Sequence, residues 1–174
     1  MLMKLMQAAV CAGLLSFAVL PASAQERVKR APNIDSSKMD ESVRQYQDAV
    51  KYYQAGQLNL AEKELEKFLG RVGEHAGGNF LMGMVRVQQG DFEKARTSFR
   101  TAVKLDPAMV SPHGWLGAVE AVLGNPAAAQ EQKAELEKMK TACGEPCPKA
   151  AEFAMEIRRI DENVAMAARA QTPG

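Results

Sequence analysis

Apolar residues recur every three or four positions from Ser42 almost to the C-terminus, and no stretch keeps a period of two. This spacing places apolar side chains on one face of an α-helix, so the pattern predicts an all-α fold. The amphipathic runs come in pairs separated by short breaks. In the stretch 81–107, for example, the break falls at Gly90-Asp91. Breaks of this kind are typical of helices joined by tight turns.

The breaks, and the small residues on either side of them, repeat at a constant interval of 34 residues. Small residues let two paired helices approach closely, and glycine at the end of a helix permits a positive φ. The registers agree without insertions and predict three helical hairpins. The series that keep the interval are Ala49, Gly83 and Gly117; Gly56, Gly90 and Gly124; and Ala61, Ala95 and Ala129.

The central hairpin, with Gly83, Ala95, Phe99, Ala102 and a closing Pro107, resembles a tetratricopeptide repeat (TPR), a helix-turn-helix unit of 34 residues. The resemblance implies a right-handed α-solenoid of three TPR hairpins. Their predicted bounds are 42–75, 76–109 and 110–143.

Several residues have predicted roles within this repeat. Asp91 and Asn125 are expected to cap the second helices of their hairpins, with Pro126 in the first turn of the helix after Asn125. Leu65 and Phe99 are expected to fill the space between adjacent hairpins.

A last amphipathic run follows a turn that contains two prolines and a glycine. A repeat stack cannot leave its terminal apolar face in water. Residues 144–170 are therefore predicted to form a turn and a capping helix, with the helix at about 148–168. Lys133 stands where an apolar residue is expected in the third hairpin. The apolar stripe of the capping helix consists of Phe153, Ile157, Ile160 and Val164.

The N-terminus has the pattern of a secretory signal peptide at 1–24: Lys4, an apolar run, and small residues before a cleavage site between Ala24 and Gln25. An uncleaved membrane anchor is the alternative. The polar residues 25–41 are predicted to be a flexible leader. The short, alanine-rich signal indicates export to a Gram-negative periplasm, with no membrane insertion after cleavage.

Charge and motifs exclude several classes of function. The sequence has 22 basic and 21 acidic residues, and loss of Lys4 with the signal leaves 21 of each. They are interspersed, so no nucleic-acid partner is expected. His75 and His113 lie at connections between hairpins and are expected to be exposed structural histidines. Without a phosphate loop, zinc-binding helix or nucleophile elbow, we expect neither an enzyme nor a cofactor nor a metal site.

Cys143 and Cys147 remain after removal of the signal and are separated by three residues. In an exported protein a nearby pair suggests a disulfide, here one that ties the capping helix to the third hairpin. A redox-active pair is a second interpretation, although oxidoreductases use two intervening residues. A Cu(I) site is a third. Similar paired-cysteine turns occur in small exported bacterial TPR proteins.

The TPR resemblance also implies a binding surface, because the first helices of TPR hairpins line a concave groove that holds an extended peptide or a partner helix. The mixture of aromatic, aliphatic and methionine side chains suits apolar groups of a partner. The alternative is that some of these residues contact neighbouring helices, or that the capping helix fills the groove. The expected groove residues are Tyr46, Val50, Tyr53, Gln54, Phe80, Met84, Val87, Gln88, Ala118, Ala121 and Val122.

The resulting hypothesis is a non-enzymatic protein–protein interaction module of the bacterial envelope, with Tyr46, Tyr53, Phe80 and Met84 supplying most of the affinity. One alternative is a self-assembling scaffold, which would be a homo-oligomer. The other is a thiol redox or copper-handling protein that uses Cys143 and Cys147.

Overall fold

Helices account for the regular structure of the chain where it is described. The computed structural model describes residues 36–170, so the predicted signal peptide and the leader before Ser36 lie outside the described residues. Within this range there are seven helices and no strand, as the sequence predicts. The helices are α1 Ser36–Gln54, α2 Leu58–Val72, α3 Ala76–Gln89, α4 Phe92–Leu105, α5 Val110–Val122, α6 Pro126–Cys143 and α7 Ala150–Ala170.

The first six helices form three consecutive hairpins, α1–α2, α3–α4 and α5–α6. In each hairpin the first helix ends at a glycine with a left-handed backbone, with φ values of 71° at Gly56, 80° at Gly90 and 80° at Gly124. A residue with a β-carbon rarely adopts this conformation, so glycine fixes the position of each turn. Asp91 then caps α4 by accepting a hydrogen bond from the Lys94 backbone N–H at 3.2 Å, as predicted.

Asn125 is an exception to the predicted capping pattern. Pro126 does lie in the first turn of α6, but the Asn125 side chain makes no capping hydrogen bond. Its amide instead donates to Glu120 Oε2 at 3.0 Å, on the helix before the turn. The buried carboxylate of Glu120 needs hydrogen-bond donors, and this requirement redirects the asparagine away from the helix end.

Packing between neighbouring hairpins depends on Leu65 and Phe99, both fully buried as predicted. Phe99 lies against Gly83, where a β-carbon would be 2.6 Å from its Cδ1 atom. Its ring also stacks on Trp115 of the third hairpin, with ring centroids 6.1 Å apart. One side chain therefore fills its own hairpin and contacts the next.

Buried polar groups join the hairpins as well. Glu120 on α5 is 2% exposed and accepts a hydrogen bond of 2.5 Å from Arg100 on α4. His113 is also buried, which corrects the expectation that it is exposed. Its Nδ1 lies 2.9 Å from Gln132 Oε1, and its Nε2 lies 3.2 Å from the Pro107 carbonyl oxygen. Burial is possible because both ring nitrogens have polar partners.

His75 is exposed, as expected, but it has a specific role at the start of α3. Its Nδ1 accepts a hydrogen bond from the Gly78 N–H at 3.0 Å. Gly78 is buried against Phe68, whose Cε1 would be 2.8 Å from an added β-carbon. The glycines at this point of the chain therefore permit close packing of α3 on α2.

α1 begins at Ser36, six residues before the first repeat was predicted to start at 42, so the predicted flexible leader 25–41 is wrong over its last part. These residues lack an apolar stripe, which is why the sequence pattern missed them. Glu41 instead accepts hydrogen bonds from Arg44 and Gln45, one turn further along. Such pairs stabilise a helix without apolar periodicity.

The capping helix α7 packs on both helices of the third hairpin. Phe153 and Ile160 are buried in one cluster with Val110, Ala121 and Leu136. Lys133 on α6 reaches Asp161 on α7, with Nζ 2.7 Å from Oδ1. The lysine at the predicted apolar position therefore forms an ion pair with the cap. None of the helices formed by residues 36–170 is long and apolar enough to cross a membrane.

Candidate functional site

The predicted groove residues lie on the first helices of the three hairpins, and their exposure decides which of them a partner can reach. Gln54, Gln88 and Val122 are exposed, whereas Ala118 and Ala121 are buried. The large side chains of the first two hairpins are half-buried, with one face in the core and the other accessible. These are Tyr46, Val50, Tyr53, Phe80, Met84 and Val87.

Neighbouring rings support the aromatic members of this surface. Tyr46 packs on Phe68, with ring centroids 5.2 Å apart, and burial raises the pKa of its phenol. Phe80 packs on Phe99 with a centroid separation of 5.9 Å. Because these rings are held by the core, they present a fixed surface and lose little freedom when a partner binds.

The third hairpin does not continue this surface. Ala118 is 6% exposed and Ala121 is 1% exposed, so neither is available to a partner in this structure. The helix α7 covers this part of α5, and the alternative that the cap fills the groove therefore holds for the third hairpin. Of the three residues predicted here, Val122 alone remains open, at 45% exposure.

The reason is visible in a repeat series that sequence reasoning missed. Tyr46, Phe80 and Gly114 stand at the same position of the three hairpins, at the 34-residue interval. At Gly114 an added β-carbon would lie 2.6 Å from Glu156 Cβ, and at Gly117 it would lie 2.6 Å from Ile160 Cδ1. Because Gly114 has no aromatic ring, α7 has room to pack at this position. The change from an aromatic residue to glycine along the series was the sequence signal for this packing.

Two further residues at this end of the surface were also missed. The Arg159 guanidinium of α7 lies over the Trp115 ring, 4.1 Å from its centroid, in a cation–π arrangement. Arg159 Nε also donates to Glu156 Oε2 at 2.7 Å, and this carboxylate is 1% exposed. Arg159 therefore neutralises a buried acid and at the same time faces the aromatic end of the surface.

A small cavity of about 70 Å³ joins these elements. Val87 from α3, Val122 from α5 and Arg159 from α7 all line it. The predicted surface and the capping helix are thus contiguous, and the exposed apolar strip of α1 and α3 ends at a single arginine.

A more spacious depression, of about 1330 Å³, lies between α6 and α7 beside Cys147. Acidic and basic side chains such as Glu137, Lys140, Arg158 and Asp161 alternate around it. Because its charged side chains alternate in sign and it is widely open, we place the candidate site on the first helices and not here.

Cys143 and Cys147 are bonded to each other in the structure, with their Sγ atoms 2.16 Å apart. The bridge ties the end of α6 to the turn before α7. By the chain-entropy model, closing so short a loop stabilises the fold by roughly 2 kcal/mol. Among the residues that the structure describes, no group of three or more histidine, cysteine, aspartate or glutamate side chains is arranged to hold a metal ion.

Solved structures with the same arrangement of helices are TPR proteins. The TPR2B domain of yeast Sti1, in a complex with pHsp70, superposes with a TM-score of 0.60 at 17% identity, over 75% of this chain and 98% of that one. The Yersinia enterocolitica type III secretion chaperone SycD, in complex with a peptide of the translocator YopD, gives 0.59 at 16% identity, over 76% and 96%.

A mutant O-GlcNAc transferase from Thermobaculum terrenum gives a TM-score of 0.56 at 19% identity, over 75% of this chain but 22% of the transferase. At these identities the likeness shows the fold. A comparison with curated proteins gives no match. The sequence profile of the tetratricopeptide repeat matches residues 46–107 and 80–138, which together span more than half of the chain. The chain therefore belongs to the tetratricopeptide repeat family, and the predicted all-α TPR solenoid is confirmed.

Proposed function

We propose that this protein is a non-enzymatic interaction module that holds a segment of a partner protein on the first helices of its TPR hairpins. The observation that carries the proposal is the half-exposed apolar strip of α1 and α3, whose large side chains are fixed by the core beneath them. Rigid aromatic and methionine side chains are the groups that dominate protein interfaces. Sti1 and SycD, which share the fold, are each seen with a bound peptide or partner.

A pair of variants tests the position of the site. Val122, which lines the cavity where the strip meets α7, and Leu60 on α2 are equally exposed, at 45%. We expect Val122→Lys to reduce capture of partners from an envelope extract by at least tenfold, because a buried unpaired charge costs more than 1.4 kcal/mol. Leu60→Lys adds the same charge away from the strip and is expected to leave capture unchanged. Quantitative mass spectrometry of the captured proteins makes the comparison.

The variants Tyr53→Ala and Phe80→Ala provide a second test within the strip. If both proteins stay folded by circular dichroism and still capture the same partners as the unaltered chain, the assignment of the strip is wrong. The variants of Val122 and Leu60 share this control, since each must retain its melting temperature for the result to count.

We further propose that the protein acts in a Gram-negative periplasm, after removal of residues 1–24. The pattern of the N-terminal residues and the disulfide-compatible cysteine pair support this location. N-terminal sequencing of the protein from a periplasmic fraction is expected to begin at Gln25. A chain that keeps Met1 and sediments with membranes would indicate the anchored alternative.

The two alternative functions, a redox or copper-handling protein and a self-assembling scaffold, make different predictions. A copper-handling role needs Cys143 and Cys147 as free thiolates, whereas the structure has them bonded to each other. Thiol titration without reductant is therefore expected to find no reactive cysteine in the mature protein. A redox role needs the pair to cycle between dithiol and disulfide, so no redox change on cycling would exclude it. A self-assembling scaffold predicts a mass that rises with concentration, which light scattering measures directly.

A further inference from the structure

We infer that the partner segment is an amphipathic α-helix that lies alongside α7 and places an acidic side chain on Arg159. This inference rests on the proposed function, because it concerns the same surface. It names the conformation and the charge of the occupant.

The strip offers few partners for the backbone hydrogen bonds of an extended peptide. An extended peptide that leaves water needs partners for its N–H and C=O groups, and an unpaired group is costly. The middle of the strip, at Val50, Phe80 and Met84, carries side chains that neither donate nor accept strongly. The two amides of the predicted set, Gln54 and Gln88, stand at the C-terminal ends of α1 and α3. A helix satisfies its own backbone and needs only apolar contacts from such a surface.

A helix already occupies the equivalent place on the third hairpin. α7 runs beside α5 in the same direction, since Glu156 lies on Gly114 and Ile160 lies on Gly117. Its buried apolar side chains recur at helical spacing. The open strip of α1 and α3 adjoins this intramolecular interface at the cavity lined by Val87 and Arg159. A partner helix on the strip would therefore continue an arrangement that the molecule already contains.

The positive charge of Arg159 favours an acidic side chain on the partner helix. None of the predicted groove residues is charged, so Arg159 is the cation at the end of an uncharged surface. Its Nε is bound to Glu156, and no other hydrogen bond of its side chain is found between residues 36 and 170. The side chain is 27% exposed. The remaining donors of the guanidinium fork can bind a carboxylate, and such charge-assisted hydrogen bonds are strong.

A site-specific photocrosslinking experiment on the full chain tests the conformation of the occupant. The photoreactive residue p-benzoylphenylalanine replaces Val50, Met84 or Val122 in turn, the source cells are irradiated, and mass spectrometry locates the crosslinked residues on the captured protein. A helix is expected to give crosslinks three, four and seven residues apart. Crosslinks at alternate residues would show an extended segment and overturn this inference while leaving the proposed function intact. An absence of crosslinks from all three folded variants would overturn the proposed function itself.

A synthetic, fluorescently labelled peptide of the captured segment then tests the contact with Arg159. We expect Arg159→Ala to weaken binding by about tenfold in fluorescence anisotropy, as loss of a hydrogen bond to a charged group does. Arg158→Ala, which removes the neighbouring exposed cation, is expected to leave binding unchanged.

Arg159 also pairs with Glu156, so a change in the peptide provides an independent measurement on the unaltered protein. Conversion of the acidic residue of the peptide to its amide is expected to cause the same tenfold loss. It is also expected to cause no loss with the Arg159→Ala protein. Equal affinities of the acid and the amide for the unaltered protein would refute the contact.

Discussion

Gly83 shows how one missing methyl group sets the packing inside a hairpin. Its α-carbon faces the ring of Phe99, and a β-carbon there would lie 2.6 Å from Phe99 Cδ1. Phe99 cannot retreat easily, because it is fully buried and its ring also stacks on Trp115. The glycine is therefore required by space and not by backbone conformation.

Gly83→Ala is expected to lower the free energy of unfolding by about 1–3 kcal/mol, as overpacking of a dense core does. Gly70 provides the control, because it lies within α2 and an added β-carbon would meet no atom within 4 Å. Gly70→Ala is expected to raise the stability by about 0.5–1 kcal/mol through the entropy of the unfolded chain. Urea denaturation followed by circular dichroism measures both, and a neutral Gly83→Ala would contradict the packing described.

At this scale the sequence predicted most small and apolar positions and the cap at Asp91, and it failed at two polar residues, His113 and Asn125. The roles of Gly83, Leu65 and Phe99 follow from their place in the repeat. The burial of His113 could not be predicted, because it depends on Gln132 and on the Pro107 carbonyl, which the fold brings together. Asn125 was assigned to the wrong partner because Glu120 competes for its amide.

Among the elements, the start of α4 combines a side-chain cap with an ion pair. Hydrogen bonding to Lys94, through both its side chain and its backbone, lowers the pKa of Asp91. The same contact raises the pKa of Lys94. Since the folded pKa of Asp91 lies below its unfolded value, its ionisation stabilises the fold above the unfolded pKa. This stabilisation is lost as the pH falls through the folded pKa.

Asp91→Asn keeps a capping oxygen and removes the charge, so it isolates this effect. We expect the variant to melt at a lower temperature than the unaltered protein at neutral pH. The difference should shrink as the pH falls below the usual carboxyl pKa of 3.8 and vanish when Asp91 is protonated in the folded state. Thermal melts over a pH series measure it, and a difference that is independent of pH would disprove the role of the charge.

At the scale of helices, sequence periodicity located every hairpin and the cap. It missed the first turns of α1, where the sequence has no apolar stripe. An apolar pattern predicts a helix only where apolar residues recur at helical spacing, and residues 36–41 lack that recurrence.

For the whole described unit, the position of α7 shortens the proposed partner surface. The sequence predicted the surface on all three first helices and also predicted the cap, but it did not predict their relative position. That position depends on Gly114, where the first two hairpins carry Tyr46 and Phe80. The sequence periodicity of a helix predicts that it has an apolar face, but only the three-dimensional structure shows which neighbouring helix that face contacts.

Gly114→Tyr restores the aromatic of the series and is expected to push α7 from α5. The helix would lose the burial of Phe153 and Ile160, worth roughly 1.5–3 kcal/mol each. Hydrogen exchange is expected to show lost protection in α7 with α1–α4 unchanged. Val122→Tyr adds the same ring to an exposed position of α5 and should leave α7 protected. Normal protection of α7 in the Gly114→Tyr protein would refute the conclusion that Gly114 makes room for α7 on α5.

The glycine at 114 also has a consequence for how this architecture can be lengthened. The third hairpin and α7 together cover the end of the stack. A duplicate of residues 76–109 inserted between the second and third hairpins would therefore add one more uncovered first helix and leave the contact between α5 and α7 unchanged. A duplicate placed after the third hairpin would instead separate Gly114 from the helix that fits it. The solenoid can thus be lengthened by inserting hairpins before α5. The helices α5, α6 and α7 must stay together as the C-terminal unit of any longer version.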